Sequence, residues 1–202
     1  MGEHVHIDID FHCEYGKHIF IGDQVIINMN CTFVDNNIIE IGDNVLIASN
    51  VQIYTATHST KLQERVVADW EAGEGICKTY ALPVRINDGA WIGGGAIILP
   101  GVTIGKNSVI GAGSIVTHSI PDNCVAVGNP CKVICSLDDY FAKRLKVAPL
   151  EAKENVMYFY QRYGRYPYKD ELSEESIYYD GKPNLPPPPL QIYFVRKFFG
   201  LV

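Results

Sequence analysis

Between Val84 and Val116 the large apolar residues Ile86, Ile92, Ile98, Ile104, Ile110 and Val116 follow one another at intervals of six. An α-helix returns to the same face every 3.6 residues and a strand every 2, so a strict six fits neither alone. It fits a short strand plus a turn, repeated, with three such units closing one coil of a β-helix solenoid. Two positions before each large residue stand Val84, Ala90, Ala96, Val102, Ser108 and Ser114. These are expected to point inward beside their large neighbours. Gly93, Gly105 and Gly111 directly follow repeat isoleucines, at corners where backbone freedom is expected to be needed.

The same beat runs backwards through the chain. Ile21, Ile27 and Phe33 make one coil; after a step of eight, Ile41, Ile47 and Ile53 make another. It is lost from Tyr54 to Leu82 and returns at Ile86. Stacking these coils predicts a register: Ile21, Ile41, Ile86 and Ile104 on a first face, Ile27, Ile47, Ile92 and Ile110 on a second, Phe33, Ile53, Ile98 and Val116 on a third. The step of eight adds residues around Asp35, Asn36 and Asn37, at the corner where the third face turns into the first. The long interruption leaves from that corner one coil later. Two irregularities are therefore expected side by side on one edge, and loops on a rigid scaffold are where binding groups sit. The interruption carries His58 on its outgoing limb, and an imidazole there can accept a hydroxyl proton near neutral pH.

Composition narrows the classes. The chain has 202 residues, a 47% hydrophobic content and a net charge of −6, enough for a core and adverse to nucleic acid or anionic membranes as partners. The polar start MGEHVHIDID and the absence of a long apolar run point to a cytoplasmic protein. Residues 1–18 read as an extended lead-in with Val5, Ile7, Ile9 and Phe11 on one face. His6, His12 and His18 also lie six apart, but a six-residue step moves to the next face, so they should diverge and hold no metal. Six cysteines without zinc-type spacing read as small thiols. After Ser136 basic residues and tyrosines become dense, and a 1–136 domain gives way to a 137–202 extension. There LDDYFAKRLKV and PLEAKENVMYFYQRYG read as helices, followed by a polyproline stretch and an apolar tail. That extension reads as a lid over the solenoid's open end or a strap onto a neighbouring subunit.

The runs IGDNVLIASNVQIYTATHS and WIGGGAIILPGVTIGKNSVIGAGSIVTHSIPDNCVAVGNPCKVI resemble the hexapeptide-repeat O-acetyltransferases of the maltose and galactoside (nodulation protein L) type, over roughly residues 11 to 135. The resemblance implies a mainly β, left-handed parallel β-helix, a homotrimer with sites between subunits, acetyl-CoA as donor and no metal. It makes His58, in TATH, the general base that deprotonates a saccharide hydroxyl for direct attack on the thioester, with Asn28 near the acceptor hydroxyl and acetyl group. Glu14 and Asn36 match acceptor-contacting positions. Trp91, Gly94, Ala112, Thr117, His118 and Lys132 match the coenzyme side, Gly94 through a backbone N–H aimed at the thioester oxygen. This chain departs from the family in having Glu14 where Asp or Ser is more usual, and His118 and Cys135 where basic residues are expected at the phosphate end. It also starts almost at the first coil, whereas the sugar acetyltransferases usually open with a helical segment.

Two other functions fit the repeat. One is an antibiotic O-acetyltransferase, although those relatives place their histidine in a differently worded loop. The other is a non-catalytic trimeric assembly module, expected to lack the loop histidine or the WIGGG run.

Overall fold

A computed structural model describes residues 1–66, 77–143, 157, 160–162 and 164. The chain divides into two compact units, Met1–Asp139 and Tyr140–Val202. The first is a solenoid of short parallel strands wound around three faces. The first face stacks Ile19–Ile21, Ile39–Ile41, Val84–Ile86 and Thr103–Ile104. The second stacks His6–Ile7, Ile26–Ile27, Leu46–Ile47, Trp91–Ile92, Val109–Ile110 and Cys124–Val127, the last of which turns back antiparallel into Lys132–Ser136. The third stacks His12–Cys13, Thr32–Val34, Gln52–Tyr54, Ile97–Ile98 and Ile115–Val116.

The six-residue ruler sets the register on every face. Ile21 pairs with Ile41, Ile41 with Ile86 and Ile86 with Ile104. Ile27, Ile47, Ile92 and Ile110 form the second column, and Phe33, Ile53, Ile98 and Val116 the third. All but Ile21 are essentially inaccessible, as are Val84, Ala90, Ala96, Val102, Ser108 and Ser114 between them. The triangular interior is thus filled by one large and one small residue per strand, which is why the pattern repeats at six. The two serines are tolerated because each hydroxyl is satisfied: Ser108 donates to the Pro121 carbonyl at 2.6 Å, and Ser114 to that of Gly111 at 2.7 Å.

Two expectations need correcting. The coil does not begin at Ile19: His6–Ile7 already pairs with Ile26–Ile27, and His12–Cys13 with Thr32–Phe33. At an open end Ile7 and Cys13 cover nothing below them, so the large-residue beat is relaxed there and the lead-in hid a coil. His6 and His12 lie on different faces, with His18 at the following corner. The second correction concerns the glycines. Positive φ occurs at Gly89, Gly95, Gly101 and Gly113, and at Asn30, Asn44, Asn50 and Asn107, not at Gly93, Gly105 or Gly111. Gly93 is required for close approach instead, since a Cβ there would stand 2.5 Å from the Ala112 nitrogen and 2.7 Å from the Ile110 carbonyl oxygen.

The interruption opens as an antiparallel hairpin, Ala56–His58 against Thr79–Ala81, with a short helix Leu62–Arg65; its residues 67–76 lie outside the described residues. Residues 137–143 are helical, as are 157 and 160–162. The polyproline stretch and tail also fall outside the described residues. Among those described, no helix is long and apolar enough to cross a membrane.

Candidate active site

The expected site residues gather on two edges of the prism. The first edge is where the third face turns into the first, and Asp35 organises it. This carboxylate is fully buried, and its Oδ1 accepts the N–H groups of Glu14 and Tyr15 at 3.1 and 2.8 Å while Oδ2 accepts that of His18 at 3.3 Å. Burial pushes the Asp35 carboxyl up, but the backbone donors of Tyr15, Gly16 and His18 outweigh that and hold it below the ordinary carboxylate range. The His18 ring adds a contact from Nδ1 to the Asp35 carbonyl oxygen at 2.6 Å. One buried anion therefore ties residues 14–18 of the first coil to the corner carrying Asn36, and Glu14 and Asn36 come together.

The next residue joins the hairpin to this edge. Asn37 donates its side-chain amide to the Ala81 carbonyl at 2.9 Å, and its N–H to the buried Thr55 hydroxyl at 2.9 Å. Leu82 donates its N–H to the Thr55 carbonyl at 2.8 Å. The hairpin is thus pinned at its base, and His58 is presented at its exposed end opposite Thr79. His58 Nδ1 lies 3.0 Å from the Lys78 carbonyl oxygen. A carbonyl can only accept, so the proton resides on Nδ1 and Nε2 keeps its lone pair. The ring is thereby held by Nδ1 to the returning strand of the hairpin.

The second edge is where the second face turns into the third. Here Asn28, Ser49 and Gly94 follow one another in successive coils. Asn28 Oδ1 accepts two hydrogen bonds, from the Met29 N–H at 2.7 Å and the Ser49 hydroxyl at 2.9 Å. Gly95 donates to the Ser49 carbonyl at 2.9 Å and Gly113 to that of Gly94 at 2.9 Å. The N–H groups of Gly94 and of Ala112, one coil further on, engage no protein acceptor among the described residues. Beside this edge the outward residues of the second face form an apolar column: Ile26 pairs with Leu46 and Leu46 with Trp91, all three substantially exposed.

The remaining expected residues are spread more widely. Thr117 and His118 leave the third face in the last coil, on the His58 edge, and their side chains bond each other, Thr117 Oγ1 to His118 Nδ1 at 2.8 Å. Lys132 starts the returning strand, opposite Val127 on the second face. Within one chain, then, His58, Glu14 and Asn36 occupy one edge, and Asn28, Gly94 and Ala112 another. Ser49 and the Lys78 carbonyl were missed. The register places Ala48, not Ser49, directly above Asn28, so spacing alone did not pick Ser49 out; nothing in the sequence of a repeat interruption points to Lys78. Among the described residues no group of three or more His, Cys, Asp or Glu is placed to hold a metal.

Residues 83–118 match the family described as bacterial transferase hexapeptide (six repeats). The chain is 43% identical over 151 residues to the galactoside O-acetyltransferase of Escherichia coli K12, covering 73% of this chain and 70% of that one. In structure it matches a maltose O-acetyltransferase from Clostridium difficile 630 with a TM-score of 0.61 and 49% identity, over 67% of this chain and 68% of that one. A hexapeptide-repeat-containing acetyltransferase from Vibrio cholerae O1 biovar eltor, complexed with acetyl-coenzyme A, matches with a TM-score of 0.61 and 41% identity, over 68% and 70% of the two chains. The chain belongs to the hexapeptide-repeat acetyltransferase family, of the galactoside and maltose O-acetyltransferase type. Its match to the first curated relatives, from Saccharomyces cerevisiae and Schizosaccharomyces pombe, spans 61% and 56% of their length.

Proposed function

We propose that this protein transfers an acetyl group from acetyl-CoA to a hydroxyl of a saccharide, at sites formed between the copies of a homotrimer. The observation that carries the reading is the tautomer of His58, fixed by the Lys78 carbonyl so that Nε2 is free to take a proton. Nε2 removes the acceptor's hydroxyl proton as its oxygen attacks the thioester carbonyl carbon. The tetrahedral oxyanion is held by the Gly94 N–H, which has no partner among the described residues. Collapse breaks the carbon–sulfur bond, and the proton on His58 passes to the departing CoA thiolate.

The separation of the two edges supports a shared site. His58 and the Glu14–Asn36 corner supply the base and acceptor contacts, whereas Asn28 and Gly94 supply the acetyl side, one prism edge away. A closed ring of identical subunits brings unlike edges of neighbours together. The exposed Ile26–Leu46–Trp91 column then becomes a wall between copies, against which the pantetheine arm lies. Ala112, Thr117, His118 and Lys132 extend the coenzyme side toward its nucleotide, with the Ala112 N–H as a further open donor.

The saccharide reading is tested by incubating the purified protein with acetyl-CoA and a panel of mono- and oligosaccharides and hydroxyl-bearing antibiotics and following thiol release. His58→Ala should lower the rate by about a hundredfold or more. A His58→Ala protein of undiminished rate would overturn the mechanism, and transfer confined to antibiotic acceptors would overturn the substrate class.

A further inference from the structure

We infer that Ser49 is a positioning residue for acetyl transfer, which fixes the side-chain amide of Asn28 so that its NH2 group points at the reacting acetyl or acceptor oxygen; the inference rests on the function proposed above. The backbone determines which end of the amide is which. The Met29 N–H is an obligate donor and lies 2.7 Å from the Asn28 side chain, so the atom it meets is the carbonyl oxygen. Ser49 Oγ lies 2.9 Å from the same oxygen and must therefore donate to it. Both lone pairs of Oδ1 are then occupied. The amide plane is held from two sides, from within its own coil and from the coil above. Nδ2 has no partner among the described residues, so both of its protons remain for a ligand.

Ser49 is placed for this task by the solenoid itself. Its own carbonyl is anchored by the Gly95 N–H at 2.9 Å, and its coil lies between those of Asn28 and Gly94, with neighbouring strands about 4.8 Å apart. Its hydroxyl makes no other hydrogen bond among the described residues. A side chain kept only for packing would need no hydroxyl here, because Ser49 sits half-buried at a corner outside the apolar interior. Without that bond the amide keeps one restraint and can swing about χ2, and small misplacements of a reacting-site group are costly in rate.

The test is a double-mutant cycle with a spectroscopic arm on the intact protein. Ser49→Ala should lower kcat about tenfold, with the KM for acetyl-CoA and the dissociation constant of CoA by calorimetry within about twofold of the parent. Ser49→Thr, which keeps the hydroxyl, should restore most of the rate. In an Asn28→Ala background Ser49→Ala should cost nothing further, because the group it orients is gone. In 1H–15N spectra the Asn28 side-chain pair, assigned by its loss in Asn28→Asp, should shift and sharpen in Ser49→Ala. Additive losses in the cycle, or an unmoved Asn28 pair, would overturn the positioning role while leaving acetyl transfer intact. A parent protein without acetyltransferase activity would instead overturn the functional reading, and this inference with it.

Discussion

Replacing Asp35 by Asn tests the physical basis of the acceptor corner. The carboxylate accepts three backbone N–H groups at 2.8 to 3.3 Å while fully buried. In the variant the amide oxygen can keep the Glu14 and Tyr15 donors. Each of those bonds then drops from charge-assisted to neutral strength, a loss of about 1 kcal/mol apiece. The new NH2 group meets the His18 N–H, leaving a donor facing a donor at a cost of about 1–3 kcal/mol. Relief from burying a charge works the other way, but the lowered pKa of Asp35 shows that its hydrogen bonds outweigh that burial. The net expectation is a loss of about 2–4 kcal/mol, measured by urea unfolding at fixed protein concentration so that subunit association does not intrude. The pH dependence has a definite sign. Because the folded state lowers this pKa, the stabilisation is present above the ordinary aspartate value of about 3.9 and is lost as pH falls through the folded value. The gap between parent and variant should be constant near neutrality and close in acid. A neutral-pH loss below about 0.5 kcal/mol, within the scatter of ordinary surface changes, would refute the reasoning.

Other outcomes follow from the same geometry. Gly93→Ala should reduce the yield of folded protein and lower its melting temperature sharply, because the added Cβ meets the backbone of the next coil rather than a movable side chain; Gly95→Ala, open on every side, should show only the milder strain of its positive φ. Phe33→Ala should cost about 3–5 kcal/mol by denaturant titration, since the ring is fully buried and packs edge-on against Phe11 with centroids 5.0 Å apart. Asn37→Ala should leave global stability nearly unchanged but lower kcat, because it frees the base of the His58 hairpin from the Asn36 corner; an unchanged kcat would show that the hairpin needs no such pin.

The six-residue spacing fixed more than fold class. It set the strand register of three faces and placed Asn36 and the His58 loop on one edge, because a coil of three equal strands leaves no freedom once large residues must share one interior. The spacing was silent wherever that requirement lapses. At the open first coil Ile7 and Cys13 cover nothing below them, so a coil passed for a lead-in. Gly93 was legible as a special position, yet the reason lay in contacts with Ile110 and Ala112 of the next coil, which no local pattern encodes. For the candidate site, the residues came from the resemblance alone, and their division between two edges emerged only from following each around the prism. The orientation of His58 and Asn28 depends on Lys78 and Ser49, and hydrogen bonds to a carbonyl or between coils have no spacing signature.

The central claim, that one copy's His58 works with another copy's Asn28, is tested most directly by subunit mixing. His58→Ala and Asn28→Ala chains, each expected to be nearly inactive alone, are co-expressed in equal amounts and acetyl transfer is measured on the mixed assemblies. A shared site predicts recovery to about a quarter of the parent rate, the fraction of randomly formed interfaces in which both contributed residues are intact. A site contained within one chain predicts no recovery at all, and that result would contradict the account.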